Sequence, residues 1–259
     1  MEGDFISRSI DDSGWWAIAW IDAYDYTHDA RYLNEAVTIA NYVQQYWDTS
    51  TCGGGVWWDR EKTYKNAVTN GQYLWLTTAL HQRIAGDTVW LQRAKTSAAW
   101  YKASGMINSS GLVNDGLSSS CANNGSTVWS YNQGLAIGGF TELWRTTGDS
   151  SLLATAKTLA NAAISSSQLT VGGVLTESCD VGSASCDDNQ KQFKGIFMRN
   201  FADLAERDRL QHLPRLHPET GRHAVGAGPV QPQRARRTLG RHQPEPGPTG
   251  VRRPVRSGR

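Results

Sequence analysis

Two adjacent carboxylates, Asp11 and Asp12, stand at the predicted start of a helix that continues into Trp15 and Trp16. Adjacent side chains on a helix project about 100° apart, which would place the two carboxyl groups on the order of 5 Å from each other. That separation is expected of a carboxylate pair that hydrolyses glycosides with retention of configuration. A structural interpretation stands beside it, because Ser9 followed by Asp12 matches a capping box.

The helix start also predicts how this pair would share its protons. The positive end of the helix dipole favours an ionised carboxylate, which could act as a nucleophile. Repulsion from that charge, together with burial against Trp15 or Trp16, would raise the pKa of the neighbouring carboxyl group. The neighbour would then hold a proton for the leaving oxygen.

A helical pattern repeats along the chain. Aligned on Asp29, Asp87 and Asp149, the sequence has Leu at the fourth following position and Ala at the seventh and eleventh. These offsets share one helix face, and each Asp stands where a helix N-cap belongs. The markers are 58 and 62 residues apart, which fits two helices and a loop per unit.

A second set of helices is predicted at 12–26, 68–84, 132–146 and 191–206, richer in large apolar and small residues. Helices that are apolar all round belong to a layer covered on both sides, so the Ala-striped helices would be the outer layer. The alternation predicts an all-α fold, a toroid of helical hairpins. An open array of hairpins is the alternative.

The inner helices would present their N-termini at one end of the toroid. Counting 17 residues back from each marker gives Asp12, Asn70 and Asn132, each followed within two residues by a glycine that permits close approach. The asparagines could alternatively be ordinary helix caps. The adjoining loops add Trp57, Trp58, Lys65, Asn66, Asp115, Trp129, Tyr131 and Lys194. Aromatic rings among amide, lysine and carboxylate groups suit a sugar, so these residues are predicted to bind substrate.

The charge is divided unevenly. Residues 1–206 hold 14 Lys and Arg against 21 Asp and Glu, whereas residues 207–259 hold 12 Arg against three acids and contain all eight prolines. We expect one domain over 1–206 and an Arg/Pro-rich tail over 207–259, either disordered or translated out of frame. A basic arm for nucleic acid is the weaker interpretation of this tail. The start Met1-Glu2-Gly3-Asp4 lacks the features of a signal peptide, and no apolar stretch is long enough to span a membrane.

The cysteines are four, Cys52, Cys121, Cys179 and Cys186, with no metal-type spacing. Cys179 and Cys186 bracket a polar loop and could form a disulfide in an exported protein, or remain thiols. For Cys52 and Cys121, buried free thiols carry more weight than for that pair, and the pairing stays open. Asp187 and Asp188 are interpreted as solvated loop residues, with a calcium site as the weaker alternative.

Five segments in order resemble glycoside hydrolase family 76, the endo-acting α-1,6-mannanases and their fungal cell-wall transglycosylase relatives. They are the segments 11–16 (DDSGWW), 52–58 (CGGGVWW), 64–71 (YKNAVTNG), 129–134 (WSYNQG) and 192–200 (QFKGIFMRN). The resemblance implies an (α/α)6 toroid, with Asp11 as nucleophile and Asp12 as acid/base. It implies no metal and no cofactor.

The resemblance further implies a secreted enzyme that acts on α-mannan, and we expect this enzyme to be a monomer. A transglycosylase with the same site and an inactive glycan-binding fragment are the alternatives. Six hairpins would need roughly 360 residues, so the toroid is expected to be incomplete in this chain. Our hypothesis from the sequence is a truncated fragment with little activity of its own.

Overall fold

The computed structural model describes residues 3–181 and 185–208. The tail predicted for 207–259 lies outside the described residues beyond Asp208. Seven helices occupy the described residues: α1 Ile10–Thr27, α2 Ala30–Gln44, α3 Ala67–Arg83, α4 Val89–Ala103, α5 Ser130–Thr147, α6 Ser150–Ser165 and α7 Gln190–Asp208. Two short strands, β1 Thr170–Val171 and β2 Val174–Leu175, form an antiparallel hairpin, and 3-10 turns lie at Gly3–Phe5 and Ser178–Asp180.

The helices alternate between two layers, as the repeat predicts. Helices α1, α3, α5 and α7 pack side by side, and α2, α4 and α6 each back the inner helix that precedes them. Helix α3 is buried from Ala67 to Leu80 with Trp75 as its one partly exposed residue, which confirms an inner layer covered on both sides. Asp29 and Asp149 cap α2 and α6 through their side chains, as predicted.

Gly14, Gly71 and Gly134, which were expected to permit close approach to the backbone, each have the neighbouring inner helix packed against them. A Cβ atom on Gly134 would lie 2.6 Å from the Phe197 Cα atom, and one on Gly71 would lie 2.9 Å from the Leu135 Cβ atom. A Cβ atom on Gly14 would lie 2.5 Å from the Gln72 side-chain oxygen. Each glycine therefore lets the next inner helix pack tightly against its own.

These glycines also correct the register of the repeat. Gly14, Gly71 and Gly134 each stand five residues after the N-cap residue of their helix. Asn70 precedes one of them directly, whereas Asp12 and Asn132 stand two residues before theirs. The three positions are therefore not all equivalent. Asp12 corresponds to Asn132, whereas Asn70 corresponds to Gln133.

Asn70 and Gln133 share a structural role. The Asn70 Oδ1 atom accepts a hydrogen bond from the Val56 amide (2.7 Å), and its Nδ2 atom donates to the Val56 carbonyl (3.0 Å). The Gln133 side chain forms the same pair with the amide and carbonyl of Val113, at 2.8 and 2.7 Å. Each amide side chain thus takes the place of a neighbouring strand and fixes the short apolar segment of its repeat onto the next inner helix.

All four cysteines form disulfides. Cys179 and Cys186, for which the sequence allowed either a disulfide or free thiols, are bonded to each other, and Cys52 is bonded to Cys121. The alternative of free thiols at Cys52 and Cys121 therefore does not hold, because two loops 69 residues apart in sequence meet in the fold.

The capping box predicted at Ser9 is also absent, since the Ser9 side chain makes no cap hydrogen bond. Asp12 instead accepts a hydrogen bond from the Ser7 hydroxyl at 3.2 Å. None of the helices in the described part of the chain has the length and apolarity needed to cross a membrane.

Candidate active site

A pocket of about 240 Å³ lies at the N-terminal ends of the first three inner helices. It is lined by Asp11, Trp58, Tyr64, Asn66, Val68, Asp115 and Tyr131. Asp11 comes from the first turn of α1 and Asn66 is the N-cap of α3, where its side chain accepts from the Thr69 amide. The fold thus brings five of the predicted site residues to one cavity, namely Asp11, Trp58, Asn66, Asp115 and Tyr131.

Asp11 is the carboxylate inside this pocket. Burial raises its pKa to about 7, and the charge of neighbouring Asp12 adds to the rise. Backbone amides and the Trp58 side chain donate hydrogen bonds that partly offset both effects on the pKa. Its Oδ1 atom is buried without a hydrogen-bond partner among the described residues.

Asp12 is exposed to solvent, whereas Asp11 lies in the pocket, which is the reverse of the predicted arrangement. The sequence suggested burial of the proton carrier against Trp15 or Trp16. Burial instead falls on Asp11, because the first turn of α1 directs Asp11 towards the pocket and Asp12 towards Ser7 and solvent.

Tyr64 is a site residue that the predicted set lacked. Its hydroxyl donates to the Asp115 Oδ2 atom (2.9 Å) and accepts from the Asn124 side-chain amide (2.6 Å). Burial and the Asp115 charge together raise the pKa of Tyr64 above its ordinary value. Asn132 donates to the other Asp115 oxygen at 3.4 Å, so the carboxylate is held from two sides. The sequence feature that could have identified Tyr64 is its position directly before the predicted site residues Lys65 and Asn66.

Aromatic rings build the wall at the start of α5. Tyr131 stacks on Phe193 of α7 with 3.9 Å between ring centroids, and Trp129 meets the edge of the same Phe193 ring at 5.4 Å. Tyr131 lines the pocket, where burial raises its pKa and the charges of Asp115 and Asp11 raise it further. Trp129 is not among the pocket-lining residues. It is the N-cap of α5, and its carbonyl accepts from Gln133.

Lys65 is placed elsewhere than predicted. Its side chain is almost fully buried, and its ammonium donates to the carbonyls of Asp48, Thr51 and Gly54 at 2.7, 2.6 and 2.6 Å. The Trp57 ring lies 4.8 Å from the same ammonium and outside the pocket of Asp11. Lys65 therefore holds the glycine-rich loop together and has no donor left for a sugar.

Lys194 and Asn70 are likewise buried structural residues. Lys194 is ion-paired with Asp180 at 2.6 Å and lies outside the pocket. The same turn carries Glu177, whose buried carboxylate accepts hydrogen bonds from the amide and hydroxyl of Ser130. Burial raises the pKa of Glu177 to about 7. These contacts fix the start of α5 from outside the pocket.

Asp188 pairs with Lys191 at 2.8 Å, and Asp187 accepts from the Gln190 amide at the start of α7. Both carboxylates are exposed, in agreement with the solvated interpretation. The described residues hold one cluster of metal-type spacing, Cys179, Asp180 and Cys186, and its two sulfur atoms are joined in a disulfide.

Buried polar atoms without hydrogen-bond partners lie near the N-terminal ends of the inner helices. Among the described residues they include Asn132 Oδ1, Thr69 Oγ1 and both side-chain polar atoms of Gln72, besides Asp11 Oδ1. All stand in the first two turns of α1, α3 and α5. An unsatisfied buried polar group costs about 1–3 kcal/mol, so this end of the toroid is suited to a ligand rich in hydroxyl groups or to water.

A model of glycosyl hydrolase family 76 matches residues 5–222. The chain belongs to this family. The match covers all seven helices and ends within the segment predicted as a tail.

A curated family relative is the mannan endo-1,6-alpha-mannosidase DCW1 of Candida albicans, 30% identical over 207 residues. The aligned region is 73% of this chain and 45% of that relative. The DCW1 enzyme of Saccharomyces cerevisiae is 29% identical over 73% of this chain and 44% of its own length. The chain thus spans less than half the length of these relatives.

Solved family 76 structures share the fold. The GH76A alpha-1,6-mannanase of Salegentibacter sp. HEL1_6 superposes with a TM-score of 0.69 and 28% identity, over 85% of this chain and 62% of that one. An inactive variant of that enzyme, with two consecutive aspartates changed to asparagine, has been solved with alpha-1,6-mannotriose at 26% identity and the same TM-score. These neighbours are α/α toroids, and the fold predicted from the repeat is confirmed as a partial one.

Proposed function

We propose that the protein is a retaining glycosidase that cleaves α-1,6-mannosidic linkages in mannan, with Asp11 and Asp12 as its catalytic pair. The observation that carries the proposal is the pocket itself, which holds the Asp11 carboxylate, with its buried and unpartnered Oδ1 atom, between aromatic walls and next to a second, exposed carboxylate. The mannan endo-1,6-alpha-mannosidases to which the chain is similar support the substrate class.

The environments of the two aspartates support distinct roles. A nucleophile must lie beneath the sugar ring, and Asp11 is the carboxylate that lines the pocket. An acid/base residue must first protonate the leaving oxygen and later take a proton from water, and Asp12 is open to solvent. In this mechanism an Asp11 oxygen attacks the anomeric carbon as the bond to the O6 atom of the leaving mannose breaks. The covalent mannosyl–enzyme ester is then attacked by water, from which Asp12 removes the proton, and the anomeric configuration is retained.

Product analysis tests the reaction. We expect proton NMR of a digest of α-1,6-mannohexaose to show the α anomer first, before mutarotation produces the β anomer. Initial release of the β anomer would contradict a retaining mechanism. Products longer than the substrate would favour the transglycosylase, in which a sugar hydroxyl replaces water as the acceptor. Oligosaccharide binding without any turnover would favour the glycan-binding fragment.

The pH dependence tests the role of Asp11. A nucleophile must be ionised, and the Asp11 pKa is raised to about 7, so protonation should inactivate the free enzyme below that pH. With an aryl α-mannobioside whose leaving group needs no proton from Asp12, we expect kcat/KM to rise with pH through about 7 and to be roughly 100-fold lower at pH 5 than on its plateau, a tenfold loss for each pH unit. Initial rates across pH 4–9 measure this, with circular dichroism at each pH to confirm folding. A kcat/KM that stays level through pH 7 for this substrate would instead assign the proton-donating role to Asp11.

Secretion remains a prediction. Two disulfides in the described residues fit an oxidising compartment, since such bonds seldom persist in the cytosol.

A further inference from the structure

One wall of the pocket of Asp11 is a stack of two aromatic rings from different helices. Tyr131 of α5 lines the pocket and stacks on Phe193 of α7, with 3.9 Å between the ring centroids. In sequence, the residue directly next to each ring is bound by one short turn, residues 177–180. We call this segment the clamp turn, because it holds the neighbours of both rings.

The clamp turn supplies the cap that α5 lacks. Trp129, the N-cap residue of α5, makes no side-chain cap hydrogen bond. The carboxylate of Glu177, 47 residues further along the chain, instead accepts hydrogen bonds from the Ser130 amide at 3.1 Å and from the Ser130 hydroxyl. Glu177 is 1% exposed, so water does not compete for these bonds. Because Tyr131 directly follows Ser130, the contact fixes the residue next to the pocket-lining ring.

Asp180 connects the clamp turn to α7. Its Oδ2 atom accepts hydrogen bonds from the Lys194 ammonium at 2.6 Å and from the Glu177 amide at 2.8 Å. Lys194 is 6% exposed and directly follows the ring of α7 in sequence. The Cys179–Cys186 disulfide joins the same turn to the segment that precedes α7. One carboxylate therefore links the cap of α5 to the first two turns of α7.

We infer that Glu177 and Asp180 are positioning residues of the candidate active site, which hold the Tyr131 ring in place from outside the pocket. Neither carboxylate lines that pocket, so both act through the residues they bind. The inference rests on the proposed function, in which a mannose unit lies against this wall. Displacement of a positioning group by about 1 Å can lower a rate on the order of 100-fold, so release of the wall should be measurable in turnover.

Two substitutions of Glu177 test the acceptor. Leucine has a similar volume but accepts no hydrogen bond, whereas glutamine keeps an oxygen that can accept from Ser130. We expect Glu177→Leu to lower kcat/KM for α-1,6-manno-oligosaccharides by roughly 10-fold to 100-fold, and Glu177→Gln by less than about threefold. Ser130→Ala removes the hydroxyl bond alone and gives a milder variant if Glu177→Leu does not fold. Its kcat/KM should fall about threefold, and an unchanged value would contradict the inference.

Glu142→Leu is the matched control for Glu177→Leu. Glu142 is also a buried carboxylate, but it lies towards the C-terminal end of α5, where it pairs with Arg145 at 2.7 Å. We expect its kcat/KM to stay within about twofold of the parent value at a temperature where circular dichroism shows every variant folded, because this end of α5 does not line the pocket.

Asp180→Ala tests the connection to α7. It removes the acceptor of the Lys194 ammonium and of the Glu177 amide, and we expect kcat/KM to fall about tenfold. Asp188→Ala is its control, because Asp188 is an exposed carboxylate of the same region that pairs with Lys191. Its loss should leave turnover unchanged.

Two NMR measurements follow the wall without any glycan. In Glu177→Leu, the Ser130 amide should exchange with deuterium about tenfold faster than in the parent, whereas the Leu143 amide at the other end of α5 should keep its rate. Nuclear Overhauser contacts between the Tyr131 and Phe193 rings should weaken in Glu177→Leu and persist in Glu177→Gln.

Unchanged exchange and unchanged ring contacts in Glu177→Leu would overturn the inference. Faster exchange in a folded variant whose kcat/KM equals that of the parent would overturn it as well, because the cap would then serve stability alone. If the parent protein neither binds nor hydrolyses the oligosaccharides, the proposed function fails, and the NMR contacts still decide whether the clamp turn holds the Tyr131 ring.

Discussion

Asp11→Asn should abolish turnover of α-1,6-manno-oligosaccharides, with a loss in kcat on the order of 10⁴-fold or more. The amide has nearly the shape of the carboxylate, but it cannot form the glycosyl ester and carries no charge to stabilise the oxocarbenium-like transition state. Release of reducing ends, measured at pH 7.5 with purified enzyme, gives the loss. Asp22→Asn is a suitable control, because Asp22 lies on the same helix, outside the pocket of Asp11, where it pairs with Arg199.

Stability separates this chemical loss from misfolding. The folded-state pKa of Asp11 is raised, so the folded protein holds this proton more tightly than the unfolded chain does. The stability that this group contributes is present below pH 4 and is lost as the pH rises through about 7. Asp11→Asn should therefore unfold no more easily than the parent at pH 8 and gain roughly 1–3 kcal/mol there. An inactive variant with a lower melting temperature at pH 8 would point to a structural role for Asp11.

Azide distinguishes the two aspartates. In Asp12→Ala, an aryl α-mannobioside with a good leaving group can still form the covalent intermediate, and azide can replace the water that lacks a base. Its product keeps the α configuration. In Asp11→Ala, azide can only attack the substrate directly and gives the β azide. The opposite pairing of variants and products would exchange the assigned roles.

The helical layers could be predicted because they depend on local periodicity. The Leu and Ala offsets from Asp29 and Asp149 follow from one helix face, and both residues cap their helices as the pattern requires. The third marker, Asp87, is not the N-cap as predicted, since Thr88 holds that position, but its carboxylate accepts hydrogen bonds from the amides of Val89, Trp90 and Leu91 at the start of α4. Local sequence determines such caps, so one chain was enough to find them.

The contents of the pocket were predicted less well, because residue type does not tell which way a buried polar group points. Asn70 and Lys65 have side chains suited to a sugar, yet both bind backbone groups of the glycine-rich segment. Tyr64 reaches Asp115 across 51 residues, and Cys52 reaches Cys121 across 69. Such pairs arise only once the repeats pack together, and the sequence contains no local signal for them.

Lys65→Met should lower the free energy of unfolding by about 3–5 kcal/mol. The ammonium satisfies three carbonyls of one loop, and the pKa of Lys65 is lowered by burial, with Asp48 at 3.5 Å partly offsetting that effect. Methionine fills a similar volume but leaves three acceptors without a donor, each at a cost of about 1–3 kcal/mol unless water reaches it. Urea unfolding, followed by tryptophan fluorescence, measures the change.

Lys95→Met is the matched control, because Lys95 is exposed on α4 and its loss should alter stability by less than about 0.5 kcal/mol. The comparison also decides between two roles for Lys65. If this lysine bound the glycan, as its sequence context suggested, Lys65→Met would weaken oligosaccharide binding and leave the urea midpoint unchanged. If it holds the loop, the urea midpoint falls, and the glycine-rich segment 53–55 should lose its protection from hydrogen exchange before the inner helices do, because no ammonium group binds the carbonyls of its loop.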